Sequence, residues 1–147
     1  MFGSAAPVRA YVSPLGRARE TASLISEHVK LNIQIEPRIA EVSLGSWDGM
    51  SMYEIDAEFP DALKGSRPHD WYFRSPDGET FEDAYARVKD WLREARAPAM
   101  VVTHGLTSRL IRGSYERLSK EDMLMLPVPQ DGFYQLANGR SELIQSD

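Results

Sequence analysis

Two short segments of this chain place an arginine and a histidine at turns between predicted strands and helices. Residues 13–22 read SPLGRARETA, and residues 101–105 read VVTHG. The apolar runs of residues 8–12 and 99–103 predict two strands, one at each segment. Each segment then leads into a helical pattern. Open α/β sheets bind ligands at the edge where the carboxyl ends of the strands lead into helices, and this edge is called the rim below. The favoured ligand is a phosphate, because helix N-termini attract anions and an arginine offers a fork of donors.

Arg17 and His104 have the chemistry that phosphoryl transfer from a monoester requires. Catalysis of that reaction depends on positioning and on neutralising the charge of the transferring oxygens. Arg17 supplies permanent donors, and a protonated His104 donates to another phosphate oxygen. Glu41 is the candidate general acid, because expulsion of an alkoxide requires a proton. We therefore expect Arg17, Glu41 and His104 to be catalytic.

The predicted substrate-binding set consists of Arg17, His104, Ser13, Thr103 and Gly105. Thr103 and Gly105 flank the imidazole, where we expect them to orient it and to allow close approach of the backbone. No cofactor and no metal are expected, because the spacing of the three histidines is not that of a metal site. The expected partner is a small phosphorylated metabolite or inorganic phosphate.

Each of these residues also has an ordinary structural interpretation. An arginine at a helix start is often a solvated charge, a histidine after a strand is often a hydrogen-bonded structural residue, and Glu41 fits a loop carboxylate. Glu79 is a second candidate for the proton donor, although its place near a helix start also fits an interaction with the helix dipole. The combination of Arg17 and His104, rather than either residue alone, favours the phosphate site.

The elements that position these residues alternate as in an α/β fold. Apolar residues recur at helical spacing over residues 17–30, and a strand pattern follows over residues 31–35. Strand, helix and strand form the expected right-handed crossover. Residues 50–76 are irregular and rich in proline and aromatic residues, so we expect them to cover the site rather than join the sheet.

Three further helices are predicted, over residues 81–95, 106–114 and 119–124, the first capped by Thr80 and ended by Pro98.

The chain finishes with a predicted β-hairpin. The pair Asn138-Gly139 lies between the strand patterns of residues 133–137 and 140–145, and this pair is the strongest short hairpin signal. Together the elements predict one α/β domain over residues 1–147. Its architecture is a three-layer α/β/α sandwich with a mixed, mostly parallel sheet and a C-terminal antiparallel hairpin.

The composition favours a compact soluble domain and argues against several function classes. With 147 residues and 42% hydrophobic content, the chain is long enough to bury one core. A net charge of −5 without a basic stripe argues against binding to nucleic acid or a membrane surface. The absence of cysteine excludes the cysteine phosphatases. A signal peptide or membrane-spanning run is not apparent, so a cytoplasmic location is expected.

The four motifs together resemble the histidine phosphatase superfamily, which also holds the cofactor-dependent phosphoglycerate mutases. Residues 13–22 match its SPxxRAxxTA pattern, and residues 103–105 match its THG pattern. Residues 41–49, EVSLGSWDG, resemble its acidic segment, and DGET at 77–80 resembles its GES-like segment. The resemblance implies a phosphomonoester hydrolase or mutase that uses a phosphohistidine, no metal and a carboxylate proton donor. A hydrolase is preferred, because no long insertion for a bisphosphoglycerate site is apparent.

One segment of the resembled family has no match in these residues. The family opens with a strand ending in Arg-His-Gly, whose histidine is phosphorylated, and no histidine precedes Ser13. We therefore expect a domain that is truncated at its N-terminus relative to the family. It should be inactive alone, because His104 cannot be both the nucleophile and the group that stabilises it. The alternative is a non-catalytic phosphate-ester-binding or interaction domain.

Loss of that strand would leave two unpaired strand edges. In the resembled fold it lies between the strand that carries THG and the first strand of the hairpin. We expect either direct pairing of the strands near residues 100–103 and 133–137, or occupation of the gap by a neighbouring chain. The second outcome predicts a homo-oligomer formed through the unpaired edges.

Overall fold

Strands and helices alternate in the computed structural model, which describes residues 5–146. In chain order they are β1 (Val8–Val12), α1 (Gly16–Ser26), β2 (Leu31–Ile35), α2 (Met52–Glu58), α3 (Phe81–Glu94), β3 (Met100–Val102), α4 (Gly105–Glu116), α5 (Lys120–Leu124), β4 (Gly132–Ala137) and β5 (Arg140–Gln145). Short 3₁₀ turns occur at Pro37–Ile39, Gly45–Trp47 and Trp71–Phe73. The predicted order of elements is confirmed.

β1 is the central strand of a three-stranded parallel sheet with the order β2-β1-β3. Its register pairs Val12 with Ile35 of β2 and with Val102 of β3. Ala10 and Val12 are fully buried, as expected for a central parallel strand covered on both faces. The parallel arrangement brings the carboxyl ends of β1 and β3 to one edge of the sheet.

Side chains alternate across β1 and divide the core into two clusters. Ala10 and Val12 pack against Ala18 and Ala22 of α1 on one face. Tyr11 points to the other face, where its ring meets Trp91 of α3 edge-on at a centroid distance of 5.4 Å. Helices therefore cover both faces of the sheet, which confirms the predicted three-layer arrangement.

α3 and α4 form the larger cluster behind the sheet. Thr80 caps α3, because its hydroxyl accepts a hydrogen bond from the Asp83 backbone N–H at 3.1 Å. The apolar stripe of α3 is buried against α4, and the residues that meet there include Phe81, Ala84, Val88, Leu106, Leu110 and Ile111. This packing fixes the direction in which α4 leaves the sheet edge.

α1 ends at Ser26, four residues before the predicted end at residue 30. The Ser26 hydroxyl donates to the carbonyl oxygens of Ala22 and Ser23 in the last turn of α1. The Lys30 carbonyl already accepts from the Val8 backbone N–H, so the chain is extended there towards β2. Sheet pairing overrides the helical periodicity of the sequence at this point.

The C-terminal hairpin is confirmed as a separate two-stranded antiparallel sheet of β4 and β5. Asn138 and Gly139 have positive φ values of 55° and 76°, as a type I′ turn requires. It contacts α4 in two places: the Glu116 carboxylate accepts from the Ser141 backbone N–H at 2.9 Å, and the centroid of the Tyr134 ring lies 3.9 Å from the Arg112 guanidinium carbon.

Direct pairing between β3 and β4, one of the two expected outcomes, is not formed. Within residues 5–146, β3 pairs with β1 alone and β4 pairs with β5 alone. The hairpin is held away from β3 by its contacts with α4, including Leu136 in the main cluster. The strands therefore divide between two sheets, and each of these two strands has one unpaired edge.

Residues 50–76 contain α2 and several turns rather than a sheet strand, as expected. α2 begins with a capping box in which Ser51 and Glu54 exchange hydrogen bonds. The rings of Trp71 and Tyr72 contact each other at a tilt of 31° with their centroids 4.4 Å apart, and Tyr72 packs against the main cluster. Across the described part of the chain, every helix is too short or too polar to cross a membrane.

Candidate active site

Ser13 and His104 meet at the carboxyl ends of β1 and β3. The Ser13 backbone N–H donates to the Val102 carbonyl oxygen at 2.9 Å, which continues the sheet beyond the strand end. Ser13 is fully buried, and its Oγ lies 2.7 Å from His104 Nε2. The same hydroxyl accepts from the Leu15 backbone N–H at 3.3 Å. Ser13 thus holds the imidazole at the N-terminus of α4 and is itself covered from solvent.

The surroundings of His104 favour its neutral form in the absence of an anion. Partial burial lowers the pKa of His104, and the positive charge of Arg17 lowers it further, whereas the Glu41 carboxylate acts in the opposite direction. Arg17 and Glu41 are therefore close enough to His104 for their charges to act on it. A bound anion would raise the pKa of His104 and favour the protonated donor.

Arg17 lies in the first turn of α1, at the same edge of the sheet as His104. Its side chain is exposed. Within residues 5–146, its guanidinium group forms neither an ion pair nor a hydrogen bond, so its donors remain available. The structure thus brings Arg17 and His104 to one rim.

Glu41 lies at the N-terminus of α4, where its carboxylate binds backbone donors. Oε1 accepts from the backbone N–H groups of Val42 at 2.9 Å and Thr107 at 3.0 Å, and from the Thr107 hydroxyl at 3.0 Å. Oε2 accepts from the Leu106 N–H at 3.3 Å. Because the first N–H groups of a helix lack partners within the helix, Glu41 both caps α4 and is fixed beside His104.

Thr103 and Thr107 tie the segment before Glu41 to this edge of the sheet. The Thr103 hydroxyl donates to the Ile39 carbonyl oxygen at 2.6 Å, and the Thr107 hydroxyl donates to the Ala40 carbonyl oxygen at 2.8 Å. The Thr103 hydroxyl is thus engaged in positioning rather than turned towards a ligand. The sequence patterns did not indicate Thr107, whose only signal is a hydroxyl residue three positions after His104; the structure shows that it is fully buried.

Glu79, the second candidate proton donor, belongs to a structural ion pair. Its carboxylate binds Arg87 through two hydrogen bonds of 2.6 and 2.9 Å and accepts from the Ser43 N–H. Burial raises the pKa of Glu79, but the hydrogen bonds and charge of Arg87 outweigh that effect and lower it overall. Glu79 is thus held as the ionised partner of Arg87, whereas Glu41 lies close enough to His104 to act on its charge.

A cleft of about 270 Å³ opens beside the Arg17–His104 rim. Its walls come from the segment after Glu41, from the start of α4 and from the loops around residues 72 and 128; the lining residues are Glu41, Val42, Leu44, Tyr72, Gly105, Leu106, Arg109 and Val128. Gly105 packs next to Val128, since a Cβ at this position would lie in van der Waals contact with the Val128 side chain at 3.4 Å. Sequence reasoning did not single out Arg109 or Val128.

Known proteins with similar sequences include several phosphatases. The chain is 34% identical over 106 residues to phosphoserine phosphatase 1 of Hydrogenobacter thermophilus, an alignment that covers 67% of this chain and 49% of that protein. It is 29% identical over 118 residues to glucosyl-3-phosphoglycerate phosphatase of Mycobacterium tuberculosis, covering 71% of this chain and 52% of that protein. The chain therefore spans about half the length of these curated relatives.

Solved structures share the fold over most of the chain. A structure described as mycobacterial hydrolase 1 superposes with a TM-score of 0.75 at 25% identity, covering 94% of this chain and 74% of that one. Mycobacterial glucosyl-3-phosphoglycerate phosphatase in complex with inorganic phosphate superposes with a TM-score of 0.74 at 24% identity, with the same coverage. The sequence model of the histidine phosphatase superfamily, branch 1, matches residues 2–142. Given this match, the fold and the shared motifs, the chain belongs to the histidine phosphatase superfamily, branch 1.

Proposed function

We propose that this domain belongs to a phosphomonoester hydrolase in which Arg17 and His104 bind the phosphoryl group and Glu41 protonates the leaving oxygen. The observation that carries the proposal is the Ser13–His104 hydrogen bond of 2.7 Å, which fixes the imidazole on the rim that also bears Arg17. The donors of Arg17 are available, and the charges of Arg17 and Glu41 act on the imidazole. The substrate class is a small phosphorylated metabolite.

The proposed reaction proceeds in two steps through a phosphohistidine. An imidazole nitrogen forms a bond to phosphorus while the bond between phosphorus and the ester oxygen breaks, and Glu41 gives its proton to that oxygen. Water then forms the new bond to phosphorus, the phosphorus–nitrogen bond breaks, and inorganic phosphate leaves as Glu41 takes the proton of the water. Arg17 and His104 neutralise the phosphoryl oxygens in both steps.

The nucleophile is proposed to come from an Arg-His-Gly strand that these 147 residues do not contain. Within residues 5–146, β3 and β4 each have one edge without a partner strand, and such an edge suits an added strand. Alone, the chain should bind phosphate without turnover. An Arg-His-Gly strand encoded in frame upstream would support the hydrolase, whereas an in-frame stop close upstream would favour a non-catalytic phosphate-ester-binding domain.

The test of the phosphate site is calorimetric titration with inorganic phosphate and orthovanadate. Arg17→Ala and His104→Ala should each weaken binding about tenfold, because a charge-assisted contact contributes about 1.5 to 3 kcal/mol before ordering terms are subtracted. Arg19→Ala is the matched control, since Arg19 is an exposed arginine on the same helix. Equal affinity of the unchanged chain and the Arg17→Ala variant would exclude the site.

A further inference from the structure

The cleft beside Glu41 has a mainly apolar lining. Val42, Leu44, Leu106 and Val128 are its apolar lining residues, and Tyr72 adds an aromatic wall. At ~30 Å³ for each water-sized group, its volume of about 270 Å³ holds roughly nine such groups. A compact apolar or aromatic body fits this lining, whereas the hydroxyl groups of a sugar would lose water without finding enough partners.

Arg109 is the positively charged residue of this lining. Its Nε donates to the Leu126 carbonyl oxygen at 2.8 Å, which holds the guanidinium against the chain segment before Val128. For the described part of the chain, neither terminal nitrogen of Arg109 has an acceptor or a carboxylate within ion-pair distance. The cleft therefore contains a positioned cation with unused donors.

A second, buried arginine adds to the positive charge behind the cleft. Arg112 is 2% exposed, one turn along α4 from Arg109, and binds the Pro127 carbonyl oxygen at 2.9 Å and the Ser108 side chain. Burial lowers the pKa of Arg112, and the charge of Arg109 acts in the same direction. The two guanidinium groups thus repel each other, and the carboxylate that lines the cleft, Glu41, is already bound by the backbone of α4.

We propose that the cleft binds the alcohol part of the phosphate ester, that this part is a compact apolar or aromatic body bearing a carboxylate, and that Arg109 binds the carboxylate. The inference rests on the proposed phosphate site at Arg17 and His104, because the same ligand must reach both. Arg17 then recognises the phosphoryl group, which all substrates share, and Arg109 selects among the alcohols. Neutral sugar phosphates are poor ligands of such a cleft.

The experiment compares phenylphosphonate with 3- and 4-phosphonobenzoate by titration calorimetry on the chain as it is. The phosphonate stands in for the phosphoryl group, and the ring carboxylate stands in for the second anion. At least one phosphonobenzoate should bind about tenfold more tightly than phenylphosphonate, as expected for one charge-assisted bidentate contact in a partly exposed cleft. Glucose 6-phosphate should bind no more tightly than inorganic phosphate.

Three variants assign that preference to the cleft. Arg109→Gln should bring the phosphonobenzoates to the affinity of phenylphosphonate, and Arg109→Lys should retain part of the difference. Val128→Asp leaves Arg109 and its bond to Leu126 in place, yet adds a negative charge to the wall and should also reduce the preference. Arg93→Gln is the control, because Arg93 is exposed on α3 and binds Asp90. Thermal unfolding of each variant shows whether the fold is kept.

The outcomes separate the two proposals. Equal affinities for phenylphosphonate and both phosphonobenzoates, or a preference that survives Arg109→Gln and Val128→Asp, would overturn the role of Arg109. Phenylphosphonate binding that is unchanged by Arg17→Ala would instead overturn the phosphate site.

Discussion

Ser13 and His104 lie 91 positions apart in the sequence, and a hydrogen bond of 2.7 Å joins the Ser13 hydroxyl to His104 Nε2. The two residues follow neighbouring parallel strands, so the register of β1 and β3 determines this contact. Ser13 is buried while His104 is partly exposed, which makes the serine the fixed partner. The imidazole therefore faces the rim in one orientation before any ligand arrives.

Removal of the Ser13 hydroxyl should weaken anion binding by releasing the imidazole. Ser13→Ala is expected to reduce phosphate affinity about fivefold, equivalent to about 1 kcal/mol, and to lower the free energy of unfolding by a similar amount. Calorimetry and urea denaturation measure the two effects. Ser26→Ala is the matched control, because that hydroxyl binds only helix carbonyl groups. An unchanged phosphate affinity in Ser13→Ala would contradict the positioning role.

Sulfate binding should strengthen as the pH falls, because His104 donates to the anion in its protonated form. The pKa of His104 lies below its ordinary value of about 6.5, so the free site gains its proton only in more acidic solution. Sulfate keeps its charge over this range, which assigns the change to the protein. Titration of the imidazole by NMR, with and without sulfate, should show a higher pKa in the complex. An identical pKa in both would contradict the contact.

The lowered pKa of His104 also predicts how the free energy of unfolding depends on pH. In a window below pH 6.5 the unfolded chain binds the proton more readily than the folded chain, so stability rises with pH there. The contribution of His104 is complete above the unfolded pKa and decreases as the pH falls through the folded one. Urea denaturation of the unchanged chain and His104→Gln over this range checks the sign, and a parallel pH dependence in both would contradict it.

Glu79→Gln should destabilise the domain without affecting the site. The change leaves Arg87 without its ionised partner in a partly buried pair, for which we expect a loss of about 2 kcal/mol in the free energy of unfolding. Because the folded pKa of Glu79 is lowered, its contribution is present above the unfolded pKa and disappears in acid. Glu82→Gln, at an exposed position of α3, is the control. A large change in phosphate affinity on Glu79→Gln would revive Glu79 as a site residue.

The unpaired edges of β3 and β4 should make the chain associate. An unpaired strand edge presents a row of backbone donors and acceptors, so a second copy of the chain can gain hydrogen bonds by pairing with it. Phe133 of β4 is 65% exposed, and Phe133→Lys should reduce association. Tyr53→Lys alters an aromatic residue of α2 that is 86% exposed and serves as the control. Light scattering over a concentration series checks this, and a monomer throughout would contradict it.

The sequence by itself determined most of the secondary structure and the candidate residues of the site. The strands of residues 8–12 and 31–35, the capped helix from residue 81 and the Asn138-Gly139 hairpin follow from local rules, since apolar period, capping and turn chemistry act over a few residues. The motif order gave the family for the same reason, because each motif is a short local pattern.

The tertiary structure alone decided which of those residues meet. It joined Ser13 to His104, placed Glu41 on the N-terminus of α4, and engaged Glu79 and the Thr103 hydroxyl in structural contacts. It also kept the hairpin on α4 instead of pairing it with β3. These outcomes depend on hydrogen bonds between residues far apart in the chain, whose distances and directions are set by how sheets and helices pack. A one-dimensional pattern does not contain that information.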